Sequence, residues 1–159
     1  MQIKKGQEIQ NGMSIIEENE KDQNLNLWSP EKRNLSINWL RLNESQKNRH
    51  FSTGDIYYCD LGENIGYEIT KNRPVIVLSD SHYNKNGMVI VAPLTKQLFR
   101  HKTTYFLKKD KYNFLKWDSC VKTLQMRSVA SIRMTARLGK VDSDDLRNIK
   151  SRIKILFNF

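Results

Sequence analysis

The side chains that could handle protons or anions are scattered along the chain, and their spacing limits the chemistry open to them. Cys59 and Cys120 are the only thiols, and His50, His82 and His101 the only imidazoles. Each cysteine lies inside an apolar or alternating run, and no spacing joins either one to a histidine in a zinc pattern. They are expected to be reduced strand residues, with neither a disulfide framework nor a structural metal. Histidine as a residue type suits general acid–base work, but nothing in the positions of His82 and His101 brings them together. Arg73 precedes Pro74, and Thr95 closes an apolar run. Taken alone, the arginine suits a loop where it caps carbonyls, and the threonine a turn where its hydroxyl bonds local backbone.

Charge placement says more. Before Gly54 there are 8 Lys and Arg against 7 Asp and Glu, whereas from Lys85 to Lys140 there are 13 basic residues against only Asp110 and Asp118. That stretch carries a strong positive field, and counterion release makes phosphate backbones its natural partner. A basic surface that serves solubility alone is the bland alternative. At 159 residues the chain has room for one ordinary domain and an appendage. No apolar stretch approaches the roughly 20 residues of a membrane span, and the N-terminus lacks the pattern of a signal peptide, so a soluble cytoplasmic protein is expected.

The elements that must position these residues follow from periodicity. Met1 to Asn24 mixes Gln, Asn, Glu and Lys with few large apolar groups, and residues 1–28 are predicted to be mobile. Ser29 suits an N-cap and Pro30 the first helical position, with Leu35, Trp39 and Leu42 at i, i+4 and i+7, which predicts an amphipathic helix over 29–48. Ser52-Thr53-Gly54 reads as a polar hinge that separates an extension, 1–53, from a domain, 54–159. Strands are predicted at Asp55–Leu61, Pro74–Ser79, Met88–Ala92, Thr103–Leu107, Ser119–Gln125 and Ala136–Val141. A final helix is capped by Asp142 or Ser143 and lines one face with Leu146, Ile149, Ile153, Leu156 and Phe157. Strands first and helix last predict a small curled antiparallel sheet closed on one side by that helix.

Several fragments then resemble, in order, the signature of the MazF/PemK toxin family. They are Gly54-Asp55-Ile56-Tyr57, Gly66-Tyr67-Glu68, Asn72-Arg73-Pro74-Val75-Ile76-Val77-Leu78 and Val91-Ala92-Pro93-Leu94-Thr95. Asp118-Ser119, Gln125-Met126-Arg127, Arg133 and the helix start at Asp142-Ser143-Asp144-Asp145 resemble its later landmarks. The resemblance covers Gly54 to Phe159 and leaves the first 53 residues unexplained. It implies a mainly β fold with helices: a small SH3-like antiparallel barrel of the CcdB/MazF/PemK kind, with a C-terminal helix and an N-terminal helical extension. It also implies a type II toxin, a sequence-selective endoribonuclease that cuts single-stranded RNA without a metal or other cofactor. The RNA 2′-hydroxyl attacks the adjacent phosphorus, leaving a 2′,3′-cyclic phosphate and a 5′-hydroxyl.

By the same resemblance Arg73 matches the catalytic arginine and Thr95 the catalytic hydroxyl. Glu68, Lys71, Lys96, Gln97, Gln125 and Arg127 are implied to bind RNA or support the site. The implied partners are single-stranded RNA, an acidic MazE-like antitoxin protein and a second copy of the chain, with no membrane. The sequence departs from the family where Tyr67 and Ile69 flank Glu68 and where Leu124 precedes Gln125. Trp117 and Tyr112 could stack bases, although aromatics beside Phe114 and Leu115 more often form a local cluster. Two other readings stay open: a CcdB-like gyrase-binding toxin, whose usual Trp-Gly-Ile ending is absent here, and a catalytically silent RNA-binding regulatory barrel.

Overall fold

The computed structural model describes the backbone of residues 2–159 and the side chains of residues 14–159. They form an N-terminal unit that ends at Asn38 and a second unit, Trp39–Phe159. Helix α1 (Gln2–Arg41) departs from expectation, because it is helical well before Ser29 and carries Pro30 inside it. Met1, also in the stretch expected to be mobile, lies outside the described residues. Local chemistry accounts for the longer helix. Alongside Asn and Ile the segment carries many Glu, Gln, Lys and Leu residues, which lose little rotamer freedom in a helix. Turn-spaced bonds such as Asn26 Nδ2 to Asp22 Oδ2 at 3.1 Å add to this. Pro30 removes one donor, the N–H that would reach the Asn26 carbonyl, and the helix continues past it.

The second unit begins at Trp39, earlier than the polar hinge at Gly54. A short helix, α2 (Glu44–Lys47), is held by a reciprocal capping box between Asn43 and Gln46. The Trp39 ring lies so close to Gly87 that a Cβ there would sit 2.5 Å from it, and Gly87 also has φ +73°. Ser131 Oγ donates to the Lys47 carbonyl at 2.6 Å, and Arg49 Nη2 donates to the carbonyls of Ser131 and Met134 at 2.9 and 2.6 Å. These long-range bonds tie the segment from Trp39 to Arg49 to the sheet.

Seven strands follow: β1 (Asp55–Asp60), β2 (Asn72–Val77), β3 (Met88–Thr95), β4 (Thr104–Leu107), β5 (Ser119–Lys122), β6 (Arg127–Ala130) and β7 (Met134–Lys140). All pairings are antiparallel, in the order β4-β5-β3-β2-β1-β7, with β6 beside the first half of β3. The sheet is curled and barrel-like rather than fully closed. Each face carries a core. Ile56, Ile76, Ala92, Leu94 and Val121 pack with Ile149 of helix α3 (Ser143–Phe157), while Phe51, Cys59, Val75, Val77, Val91 and Met134 pack on the other side. The predicted strand at Ser119–Gln125 stops at Lys122 and turns, and β6 restarts at Arg127. A run of four residues with two exposed polar side chains carries too little alternation to be legible beforehand.

Asp145 locks α3 to the sheet. Its carboxylate accepts from Tyr105 Oη at 2.6 Å, Tyr112 Oη at 2.5 Å and Lys111 Nζ at 2.9 Å, while Asp142 caps the helix by accepting the Asp145 N–H at 2.8 Å. Burial pushes the Asp145 carboxyl upward, but the donors from Tyr105, Tyr112 and Lys111 outweigh it and hold it below the usual aspartate range. A carboxyl depressed in the fold adds stability above its unfolded pKa of about 3.9, and that stability is lost as pH falls through the lower folded value. Asp145→Asn should therefore lower stability by about 2–3 kcal/mol at pH 7, with the gap to wild type narrowing below about pH 4. Urea melts at both pH values check this; an equal gap at both would contradict it.

Candidate active site

Proline shapes the site before any charge enters. The last recorded pair between β2 and β3 is Val75 with Pro93, and Pro74 precedes Val75 on β2. Neither proline brings an N–H to the ladder, so pairing weakens there. Two residues beyond that pair, on the same face of each strand, come Arg73 and Thr95. Both are half-buried, and both line the same two adjoining clefts, of about 270 and 510 Å³.

Arg73 Nε donates to the Thr70 carbonyl at 3.1 Å, which fixes the side chain, and among the described residues its Nη nitrogens carry no hydrogen bond. Thr95 Oγ1 accepts the Gln97 N–H at 3.2 Å, so its own proton remains available for donation. The carbonyl-capping and turn-hydroxyl roles open to these residues in the sequence are thus present, and they orient the groups rather than consume them. Lys96 also lines both clefts, with Nζ 5.6 Å from the centroid of the Trp117 ring. Gln97 and Lys122 line the larger cleft.

The remaining expected residues divide. Glu68 lines the larger cleft, but its carboxylate accepts the Ile65 N–H at 3.1 Å, and among the described residues it makes no ion pair with Arg73. Gln125 lines that cleft too and acts as a clamp. Its Oε1 accepts the Ile69 N–H at 2.7 Å and its Nε2 donates to the Tyr67 carbonyl at 2.8 Å. Arg127 lines a neighbouring cleft with Tyr67, Leu124 and Gln125, which Arg73 and Thr95 do not reach. Lys71 lines none of them; its backbone, at φ +69°, closes the loop by donating to the Gly62 carbonyl at 2.7 Å.

Of the two aromatics left aside in the sequence, Tyr112 is buried in the Asp145 network, whereas Trp117 is 51 % exposed and lines the cleft of Arg73. Asn72, from the same fragment as Arg73, lines it as well, as do Tyr58 and Lys116, which carried no prior signal beyond strand position or charge. The histidines are elsewhere: His101 lines a separate cleft, and His82 packs edge-on against Tyr83. Cys59 pairs with Arg73 across β1 and β2, but burial pushes its thiol up to about 12, so it offers no thiolate near neutrality. Among the described residues no three His, Cys, Asp or Glu side chains gather in a way that could hold a metal.

A cleft that presents a fixed guanidinium, an alcohol and ammonium groups, with no thiolate or histidine, suits binding and charge neutralisation at a phosphodiester. Comparison with known proteins agrees with that class. The family model of the PemK-like, MazF-like toxin of type II toxin-antitoxin system matches residues 52–157, and the chain belongs to that family. The chain is 28 % identical over 105 residues to Endoribonuclease EndoA of Bacillus subtilis, covering 64 % of this chain and 90 % of that protein. In fold it resembles MazF of Deinococcus radiodurans, with a TM-score of 0.60 at 20 % identity over 70 % of this chain and 99 % of that one. It also resembles a mycobacterial endoribonuclease solved in complex with its cognate antitoxin, with a TM-score of 0.57 at 18 % identity over 69 % and 96 % of the two chains.

The Gln125 clamp generates a direct test. Gln125→Ala removes both bonds to the loop, so the Ile69 amide should exchange its hydrogen roughly fivefold faster, about 1 kcal/mol of local protection. Exchange read by NMR checks this, and unchanged protection at Ile69 would show that the loop is held by other means.

Proposed function

We propose that this chain is the toxin of a type II toxin–antitoxin pair, acting in the cytoplasm as an endoribonuclease on single-stranded RNA without a metal. The observation that carries the reading is the convergence of Arg73 and Thr95 on one cleft, within a family whose relative is named an endoribonuclease. The RNA 2′-oxygen attacks the adjacent phosphorus and gives up its proton. The bond to the 5′-oxygen breaks, and that oxygen takes a proton as it leaves. The products are a 2′,3′-cyclic phosphate and a 5′-hydroxyl.

The free Nη donors of Arg73 neutralise charge on the five-coordinate phosphorus, a job for a group that keeps its charge and meets two oxygens at once. Thr95 bonds a non-bridging oxygen or relays a proton to the 5′-oxygen. Lys96, Gln97 and Lys122 hold the strand. Gln125 and Glu68 support the loop from Gly62 to Thr70, and Arg127 and Lys71 contribute charge outside the reacting centre. A substrate without the 2′-hydroxyl has no nucleophile, which separates RNA from DNA. Residues 1–53 precede the catalytic domain at 54–159, and from Trp39 onward they belong to the same unit as it. The partners under this reading are RNA, a second copy of the chain and an acidic antitoxin whose disordered segment competes for the basic cleft.

Purified protein incubated with long RNA in EDTA should yield fragments whose 5′-hydroxyl ends accept a label directly. Arg73→Ala should slow this on the order of 10²–10³-fold, and Thr95→Val on the order of 10²-fold. Uncut RNA with the wild-type protein would move the reading to a binding role.

A further inference from the structure

A second basic cleft, of about 640 Å³, lies between the start of β4 and the later turns of α3, and shares no lining residue with the clefts of Arg73. Arg100, His101, Lys102 and Arg152 line it, with Phe106, and no carboxylate does. The Arg100 guanidinium lies 5.7 Å from the Phe106 ring centroid. Arg152 Nε is buried and, among the described residues, is the one buried side-chain nitrogen or oxygen without a hydrogen-bond partner. A buried donor without a partner is costly, and Arg152 adds its charge to a cleft that no carboxylate lines, a setting that suits an anion.

The surface between the two sites is built for a strand. Lys122, which lines the cleft of Arg73 and Thr95, holds Nζ 5.0 Å from the Phe99 ring centroid. Phe99 in turn stacks on His101 at 6.2 Å and 14°. The Phe99 ring is 58 % exposed, while its carbonyl is pinned by Thr104 Oγ1 at 2.8 Å and Cys120 Sγ at 3.7 Å. Cation, aromatic face, imidazole and cation cluster thus alternate along one path. That alternation matches the phosphates and base faces of single-stranded nucleic acid better than the side chains of an acidic peptide.

We propose that the Arg100–Lys102–Arg152 cleft is a distal phosphate subsite for RNA that leaves the Arg73–Thr95 centre across Phe99. This rests on the endoribonuclease reading and extends it. The subsite adds affinity for long substrates and holds them without touching the reacting atoms.

The test uses 2′-deoxy oligonucleotides, which bind without being cut, of about 4 and about 10 nucleotides, with affinity measured across salt concentrations. Wild-type protein should bind the longer one more tightly. In Arg100→Gln/Lys102→Gln that length-dependent gain should fall on the order of tenfold, and the salt slope should drop by about 0.7 for each lost phosphate contact. Arg152→Met should lose affinity for the longer strand while its melting temperature stays level or rises, since an unpaired buried donor has gone. A full length-dependent gain in the double variant would overturn the subsite, as would a fall in Arg152→Met stability with affinity unchanged. So would a change in the oligomeric mass of either variant. If wild-type protein neither binds the oligonucleotides nor cleaves RNA, the endoribonuclease reading itself fails, a separate outcome.

Discussion

Strand β3 gives one edge to β2 and must divide the other between β6, which takes Met88 to Val91, and β5, which takes Leu94 and Thr95. Ala92 and Pro93 fall between the two sets of partners. Pro93 has no amide proton to lose there, so the handover from β6 to β5 leaves fewer unmet donors than any other residue would. Past the Val75–Pro93 pair no further pair between β2 and β3 is recorded, and the clefts open among residues at these strand ends. Arg73 and Thr95 sit just beyond the last recorded pair, close enough to share a cleft and freed from a full ladder.

The sheet would curl without closing if nothing covered its open side, and the Asp145 node does that work chemically. Two tyrosine hydroxyls and a lysine converge on a carboxylate that is 8 % exposed, joining β4, the loop before β5 and the start of α3. A buried carboxylate with this many donors is costly to break, because removing it strands its partners. The node fixes α3 at its N-terminal end. Arg152 lies two turns further along the same helix and has no comparable partner, so the two ends of the helix are satisfied to different degrees.

Periodicity made much of the frame legible. β1, β2 and β3 carry dense β-branched and aromatic runs, and α3 carries a cap and an apolar stripe, so their existence followed from spacing alone. The ordered fragments around Arg73 and Thr95 pointed to two residues that line the same clefts. Elsewhere the sequence was silent or misleading for identifiable reasons. β6 exists because half of β3 lacks a partner, a tertiary demand that four residues do not advertise. The long α1 comes from propensity without an apolar face, a weaker signal than the Ser29-Pro30 pair that suggested a start. Gln125 is polar and lines the cleft, as a base reader would be, yet both ends of its amide are committed to the loop backbone. Only coordinates separate a side chain that reads a ligand from one that holds a loop.

That distinction sorts the polar groups around the clefts by what they have left to give. Glu68, Gln125, Asp142 and Asp145 are acceptors or amides whose bonds stay inside the protein. Around the cleft of Arg73 the groups with spare capacity are chiefly donors: the Nη nitrogens of Arg73, the hydroxyl of Thr95 and the ammonium of Lys96. A surface that keeps its acceptors for itself and leaves its donors unmet is complementary to a ligand rich in acceptors and negative charge. Phosphodiesters supply both at every nucleotide, and between them bases supply flat faces for Trp117 and Phe99. The surplus of donors thus defines the ligand class independently of the motif at Arg73, because it follows from how the fold spends its own hydrogen bonds.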